Sequence, residues 1–148
     1  MVCAHECITT SLDAYCDQEG LTPPLVVKID TQGAEWEVWK GMQRLIGDGP
    51  VTFLTEFTPW TFDGRAAPSE FLREISRTHE LIDIRPKNMA GSFIDSGVVE
   101  HLSMRTIEAF ETRVRGSQQG WTDVLCIPRS LPGWRALTER VLSVTERR

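Results

Sequence analysis

The spacing of apolar residues changes period several times along the chain. Leu12, Tyr15 and Cys16 fall at helical spacing behind Thr10 and Ser11, either of which can cap, and Gly20 closes the run. This predicts a short helix through Asp17. Pro23 and Pro24 then break the chain. Residues 25–30, Leu-Val-Val-Lys-Ile-Asp, form a compact apolar run between turn residues, which predicts a strand buried on both faces with Asp30 at its carboxyl end. Ala34, Val38, Met42 and Leu45 then share one stripe, predicting a helix over 34–46 that Gly47 and Gly49 stop. Residues 51–57 read as a second apolar strand that ends before Pro59, with Glu56 near its carboxyl end. Strand, helix and strand make a parallel unit with a right-handed crossover.

Alternation continues downstream. Pro68 and Ser69 open a helix lined by Phe71, Leu72 and Ile75, and His79-Glu80 lead into a third strand over 81–85. Residues 87–97 read as loop, with a short extended piece at 92–95, and helical periodicity resumes over 98–114. A fourth strand follows at 121–127. Beyond Pro128 and Pro132, Trp134, Leu137, Val141 and Val144 mark an amphipathic helix. Four strands with interleaved helices predict an α/β fold. No internal repeat or low-complexity linker divides it, so 1–148 is expected to be one domain, with 129–148 as its helical tail.

Composition narrows the classes of function. At 148 residues the chain can enclose one core, and 41% hydrophobic with 25% charged residues is neither disordered nor membrane-embedded. No apolar run reaches the ~20 residues of a membrane helix, and no secretory signal is visible, so a cytoplasmic location without membrane contact is expected. The net charge is −5, with both signs scattered, which leaves no basic stripe for nucleic acid. Cys3, Cys7, Cys16 and Cys126 are too few and too irregular for a disulfide framework, so free thiols are expected. Cys3, His5 and Cys7 alternate and would share a strand face, a soft ligand set suited to zinc, but without a second pair no metal site is expected. His5, His79 and His101 lack the spacing of a metal or nucleophile constellation and read as surface or packing histidines.

Ligands of open α/β sheets bind beyond the carboxyl ends of the strands. Residues 28–35, Lys-Ile-Asp-Thr-Gln-Gly-Ala-Glu, are such an end. Gly33 permits a tight turn or a close approach, and Asp30 and Glu35 set two carboxylates around it. Either carboxylate suits proton acceptance or the orienting of a hydroxyl; equally, Asp30 caps the following helix and Glu35 favours its first turn through the dipole. Glu56, inside an apolar strand, must be paired, solvated at a cleft, or shifted in pKa. Trp60, Thr61 and Asp63 follow on the adjoining segment and either line a cleft or pack. No Gly-x-Ser-x-Gly elbow, Walker loop or Gly-x-Gly-x-x-Gly occurs, which argues against a hydrolase or a kinase.

These segments resemble the FkbM family of methyltransferases. The matching residues are Thr10-Ser11-Leu12-Asp13, then Val27-Lys28-Ile29-Asp30-Thr31-Gln32-Gly33-Ala34-Glu35, then Lys40-Gly41, then Thr55-Glu56-Phe57-Thr58-Pro59. Pro68-Ser69-Glu70-Phe71-Leu72 and Asp123-Val124-Leu125-Cys126-Ile127-Pro128 are similar to the family's tail, so the resemblance covers about 10–128. Many members carry an acidic residue where this chain has Gln32. The resemblance implies a partial Rossmann-like class I methyltransferase sheet, its last four strands with the final one antiparallel. It implies S-adenosyl-L-methionine as cofactor, held by Asp30, Thr31, Gln32 and Gly33. It also implies methyl transfer to an oxygen of a small molecule or sugar, with Asp30, Glu35 and Glu56 as catalytic residues and Glu56 and Trp60 against the acceptor. The family's first three strands and glycine-rich loop have no counterpart before Thr10. Self-association, or completion by an N-terminal half, is therefore expected, and the rival expectation is a non-catalytic α/β remnant or interaction module that binds no cofactor.

Overall fold

In the computed structural model, residues 8–62, 67–85, 98–117 and 119–143 are described. Helix α1 (Leu12–Glu19) starts where the Ser11 side chain accepts from the Ala14 N–H, and ends at Gly20 in the left-handed region. Strand β1 (Leu25–Ile29) follows, then α2 (Glu35–Lys40), α3 (Gln43–Asp48) and β2 (Val51–Phe57). A 3₁₀ turn (Pro59–Phe62) leads to α4 (Pro68–Ile75), β3 (His79–Arg85), β4 (Val98–Leu102), α5 (Ile107–Arg115), β5 (Thr122–Pro128) and α6 (Trp134–Leu142).

The five strands form one open mixed sheet in the order β1-β2-β5-β3-β4. β1 and β2 are parallel, as the strand-helix-strand pattern predicts. The final strand, β5, inserts between β2 and β3 and runs antiparallel to both, and β4 closes the far edge as an antiparallel partner of β3.

Register sorts the side chains into two faces. Leu25, Val27 and Ile29 align with Val51, Phe53 and Thr55, and these with Val124 and Cys126, on the face that carries the main core. α1 to α5 cover it: Cys16, Met42, Leu45, Phe71, Leu72, Ile75, Ile107 and Phe110 are buried against Phe53, Phe57 and Leu81. Two groups of rings lie in this layer, one with Trp39–Phe53 at 5.7 Å and the other with Phe57–Phe110 at 5.4 Å and Phe62–Phe71 at 5.3 Å. Each fully buried Phe contributes about 2–3 kcal/mol of transfer free energy. On the opposite face α6 lies against β4 and β5, and Ile82 and Ile127 are fully buried.

Three expectations change. The helix expected over 98–114 divides: 98–102 is a strand and the helix starts at Ile107, because the β-branched pair Val98-Val99 joins a hairpin with β3. The helix expected over 34–46 is two, since the chain turns at Gly41-Met42. A side chain at Gly41 would meet Ser11, 3.2 Å from its Cβ, and the Asp13 N–H donates to Gly41 O at 2.8 Å. The Asp13 carboxylate then accepts from the Arg44 and Leu45 N–H groups, both at 3.0 Å, and so caps α3 from another helix. Finally, β1 is not buried on both faces: it is the end strand of the described sheet, and Val26 is 85% exposed. The extended piece expected at 92–95, the Cys3-His5-Cys7 triplet, Asp63 and Val144 lie outside the described residues.

Candidate functional site at the carboxyl ends of β1 and β2

The parallel pair brings its two carboxyl ends to one edge of the sheet. Ile29 aligns with Thr55, so Asp30 comes one step beyond, level with Glu56, and Glu56 aligns in turn with Asp123 of β5. Three carboxylates therefore stand in a row across three chain segments. Like charges side by side on a sheet repel, and two groups relieve them. Lys28 Nζ lies 2.8 Å from Asp123 Oδ1 and 3.7 Å from Asp30 Oδ2. The Gln32 amide Nε2 donates to Asp30 Oδ1 at 3.1 Å and to Glu56 Oε1 at 2.9 Å. The Thr58 hydroxyl adds a third bond to the set, donating to Glu56 Oε1 at 2.9 Å.

Between β1 and α2 the backbone takes two consecutive left-handed residues, Gln32 at φ 53 and Gly33 at φ 111. A non-glycine residue with positive φ needs outside support. Here the support is the pair of side-chain bonds that Gln32 makes and, beneath them, Glu35. Its carboxylate is only 2% exposed and accepts from the Thr31 N–H and Thr31 Oγ1, both at 3.1 Å, and from the Gly33 N–H at 2.9 and 3.2 Å. Glu35 thus belongs to the loop's interior, whereas Asp30 and Glu56 meet at Gln32 on the loop's outer side. Asp30 does not cap α2, whose first residue is preceded by Ala34 with no side-chain cap bond.

The 3₁₀ turn closes a second side. A Cβ at Gly33 would lie 3.1 Å from Thr61 Cβ, so glycine is required both by conformation and by this close approach. Gly33→Ala should destabilise the fold by about 2 kcal/mol, read as a lowered urea midpoint; an unchanged midpoint would show that the turn yields freely. Trp60, 55% exposed, projects from the same turn with the Arg115 guanidinium 4.7 Å above its ring. Arg115 also donates to Pro59 O and pairs with Glu111 at 3.0 Å, which fixes it over the indole.

Of the residues expected from sequence, Asp30, Gln32 and Glu56 come together, Thr31, Gly33 and Glu35 build the turn that carries them, and Trp60 flanks it. Lys28, Thr58 and Asp123 were not expected. Each is a polar residue within or just after an apolar strand, but their conjunction depends on β5 docking beside β2, 95 residues from Lys28. The arrangement can orient and deprotonate a hydroxyl, and an ammonium or sulfonium suits its carboxylates. Among the described residues no group of three or more His, Cys, Asp or Glu side chains is placed to hold a metal ion, and no helix is long and apolar enough to cross a membrane. No family model, curated protein or solved structure matches the chain.

Proposed function

We propose that this chain is part of an S-adenosyl-L-methionine-dependent O-methyltransferase of the FkbM type, acting on a hydroxyl of a small molecule or sugar. The observation that carries this reading is the junction of Asp30 and Glu56 through Gln32 at the carboxyl ends of two adjacent parallel strands, where open α/β sheets hold ligands. The antiparallel final strand accords with the sheet that the resemblance implies. The short turn 30–33, with its positive φ angles, fits the close backbone approach that a bound cofactor needs, and a carboxylate beside it suits the cationic methionine end.

When bound, S-adenosylmethionine supplies an electrophilic methyl group. The chain's residues then have separate tasks. Asp30 and the turn 31–33 hold the cofactor's methionine end; Glu35 keeps that turn in shape from inside. Glu56, its Oε1 already fixed by Gln32 and Thr58, orients the acceptor hydroxyl and takes its proton. Trp60 offers an apolar wall to a sugar ring. Orientation contributes more than proton transfer, because nucleophile and sulfonium must be in line.

Calorimetric titration with S-adenosylhomocysteine tests the reading. Saturable binding is expected, weakened at least about tenfold in Asp30→Ala while circular dichroism stays unchanged. A folded protein that does not bind overturns the cofactor assignment, and equal binding by the variant removes Asp30 from the site. The second reading, an α/β interaction module without a cofactor, is favoured by one observation, the exposure of Val26 on the end strand.

A further inference from the structure

Trp60 is 55% exposed, yet it is held on one face and along one edge. The Arg115 guanidinium lies 4.7 Å behind one face of the indole. It is itself anchored, donating to Pro59 O at 3.3 Å and to Glu111 Oε1 at 3.0 Å, while the other oxygen of Glu111 accepts from the Ser69 N–H at 3.0 Å. The last turn of α5 is thereby tied to the first turn of α4 and to the 3₁₀ turn. At the ring's edge the backbone passes at Gly120, where a Cβ would lie 3.4 Å from the indole Nε1, and the Gly120 N–H is fastened to Ser117 Oγ at 3.1 Å. One indole face is therefore covered and braced, and the other is left to solvent. A ring packed for stability alone would be buried by these neighbours, since an exposed face forgoes much of its transfer free energy.

We infer that the open face of Trp60 receives an uncharged pyranoside, stacked by its C–H groups, and that Arg115 is the positioning residue that sets the indole's pose. The inference rests on the reading of Glu56 as the group that orients the acceptor hydroxyl, and it names the acceptor's class. Thr58 links the two groups: its hydroxyl donates to Glu56 at 2.9 Å while its carbonyl accepts from the Thr61 N–H at 3.0 Å and the Thr61 hydroxyl at 2.8 Å, so carboxylate and indole belong to one fixed turn. Charge selects the ligand. The guanidinium behind the ring draws π density toward itself and weakens the pull of the outer face on a second cation. An anion meets the negative π face and the carboxylate of Glu56. A pyranoside answers both groups with a single ring, because its C–H groups stand on the ring faces and its hydroxyls around the rim.

Heteronuclear NMR of the full chain tests it, with methyl β-D-glucopyranoside and methyl β-D-galactopyranoside titrated in the presence and absence of S-adenosylhomocysteine. The Trp60 indole N–H signal, identified by its disappearance in Trp60→Phe, should shift on titration, with saturation transfer strongest to the C–H groups of one sugar face. Arg115→Met keeps the stem but neither the charge nor the two anchors. It should move the indole signal of the free protein and weaken sugar binding at least about fivefold with circular dichroism unchanged; a purely structural arginine would alter stability and leave the affinity of the folded protein as it was. Trp60 is exposed, so Trp60→Ala should fold and should abolish binding. Methyl glucuronide and methyl glucosaminide should bind more weakly than the neutral glycosides. Tighter binding of either charged sugar, binding that Trp60→Ala leaves unchanged, or no glycoside binding by a chain that binds S-adenosylhomocysteine overturns the inference and leaves the cofactor reading standing. Unchanged affinity in a folded Arg115→Met overturns the role of Arg115. Glycoside binding at Trp60 by a chain that does not bind S-adenosylhomocysteine upholds the docking face and overturns the cofactor assignment alone, and a chain that binds neither overturns both.

Discussion

Replacing Glu35 by glutamine should cost about 3 kcal/mol of stability, which is large for the loss of one charge. The cause is the direction of the donors. Thr31 N–H, Thr31 Oγ1 and the Gly33 N–H all aim at this carboxylate, and the Gly33 N–H reaches both of its oxygens. A glutamine amide has one acceptor oxygen, so in either orientation its NH₂ group meets a donor, and the buried backbone loses part of its bonding. Urea denaturation should show the drop. The exposed Glu37, two residues further along the same helix, provides the control: Glu37→Gln should change stability by less than about 0.5 kcal/mol. Equal stability of Glu35→Gln and the wild type would mean that the turn is held by something other than this carboxylate.

Acidification should weaken the fold between pH 6.5 and about 4 through one buried residue. His79 is completely inaccessible, packed edge-on to Phe53 at 5.0 Å and to Trp39 at 5.8 Å. Burial among these rings pushes its pKa from 6.5 down to about 4, with Arg129 adding a smaller repulsion and the bond to Val51 O opposing it. Its Nε2 lies 2.9 Å from Val51 O and its Nδ1 lies 2.8 Å from Thr78 Oγ1, so the neutral ring donates to the carbonyl and accepts from the hydroxyl. The folded pKa is depressed, so the unfolded chain binds the proton first. Stability is fully present above pH 6.5 and is lost as pH falls toward 4, by about 3 kcal/mol in total. Unfolding midpoints measured across this window should slope accordingly. His79→Gln should be less stable at neutral pH yet lack that slope; a wild-type midpoint that stays level from 6.5 to 4.5 would refute the assignment. Glu80 works in a different range. Burial tends to raise its pKa, but hydrogen bonds from His101 and Arg129 hold it below 4.5, so its contribution fades only at more acid pH.

Much of this architecture was legible along the chain, and the failures share a cause. Ser11 and Gly20 bound α1 as the capping residues suggest, and β2 and β5 fall within a residue of their expected limits. Those elements are specified by neighbours in sequence. β4 falls inside the run of helical periodicity because Val98 and Leu102 are four apart, a spacing that a strand and a helix can both carry over so short a run. The helical stripe runs across Gly41 because Val38 and Leu45 both face the core, on either side of the break that Ser11 imposes from another helix. The open side of β1 could not be read from its own composition, since a Val-rich strand looks central whether or not a neighbour exists.

The candidate site divides in the same way. Asp30 and Glu56 stood out as acidic residues at apolar strand ends, and the structure joins them through Gln32. The position of Glu35 was evident but its direction was not: only the folded turn shows that it points inward. Lys28 and Asp123 belong to strands on either side of β2, and nothing in a linear reading selects that pair.

The place of β5 has a consequence for how the chain can be made. The last of the described strands to be synthesised is the seam between two halves of the sheet, β1-β2 on one side and β3-β4 on the other, and no described strand of one half pairs with the other. A ribosome adding about 5–20 residues per second must therefore expose the seam-facing edges of β2 and β3 until Thr122–Pro128 emerges. Until then no strand ladder joins the two halves of the described sheet. A product stopped short of that segment leaves both edges open, so quality control meets an unclosed sheet rather than a slightly shortened protein.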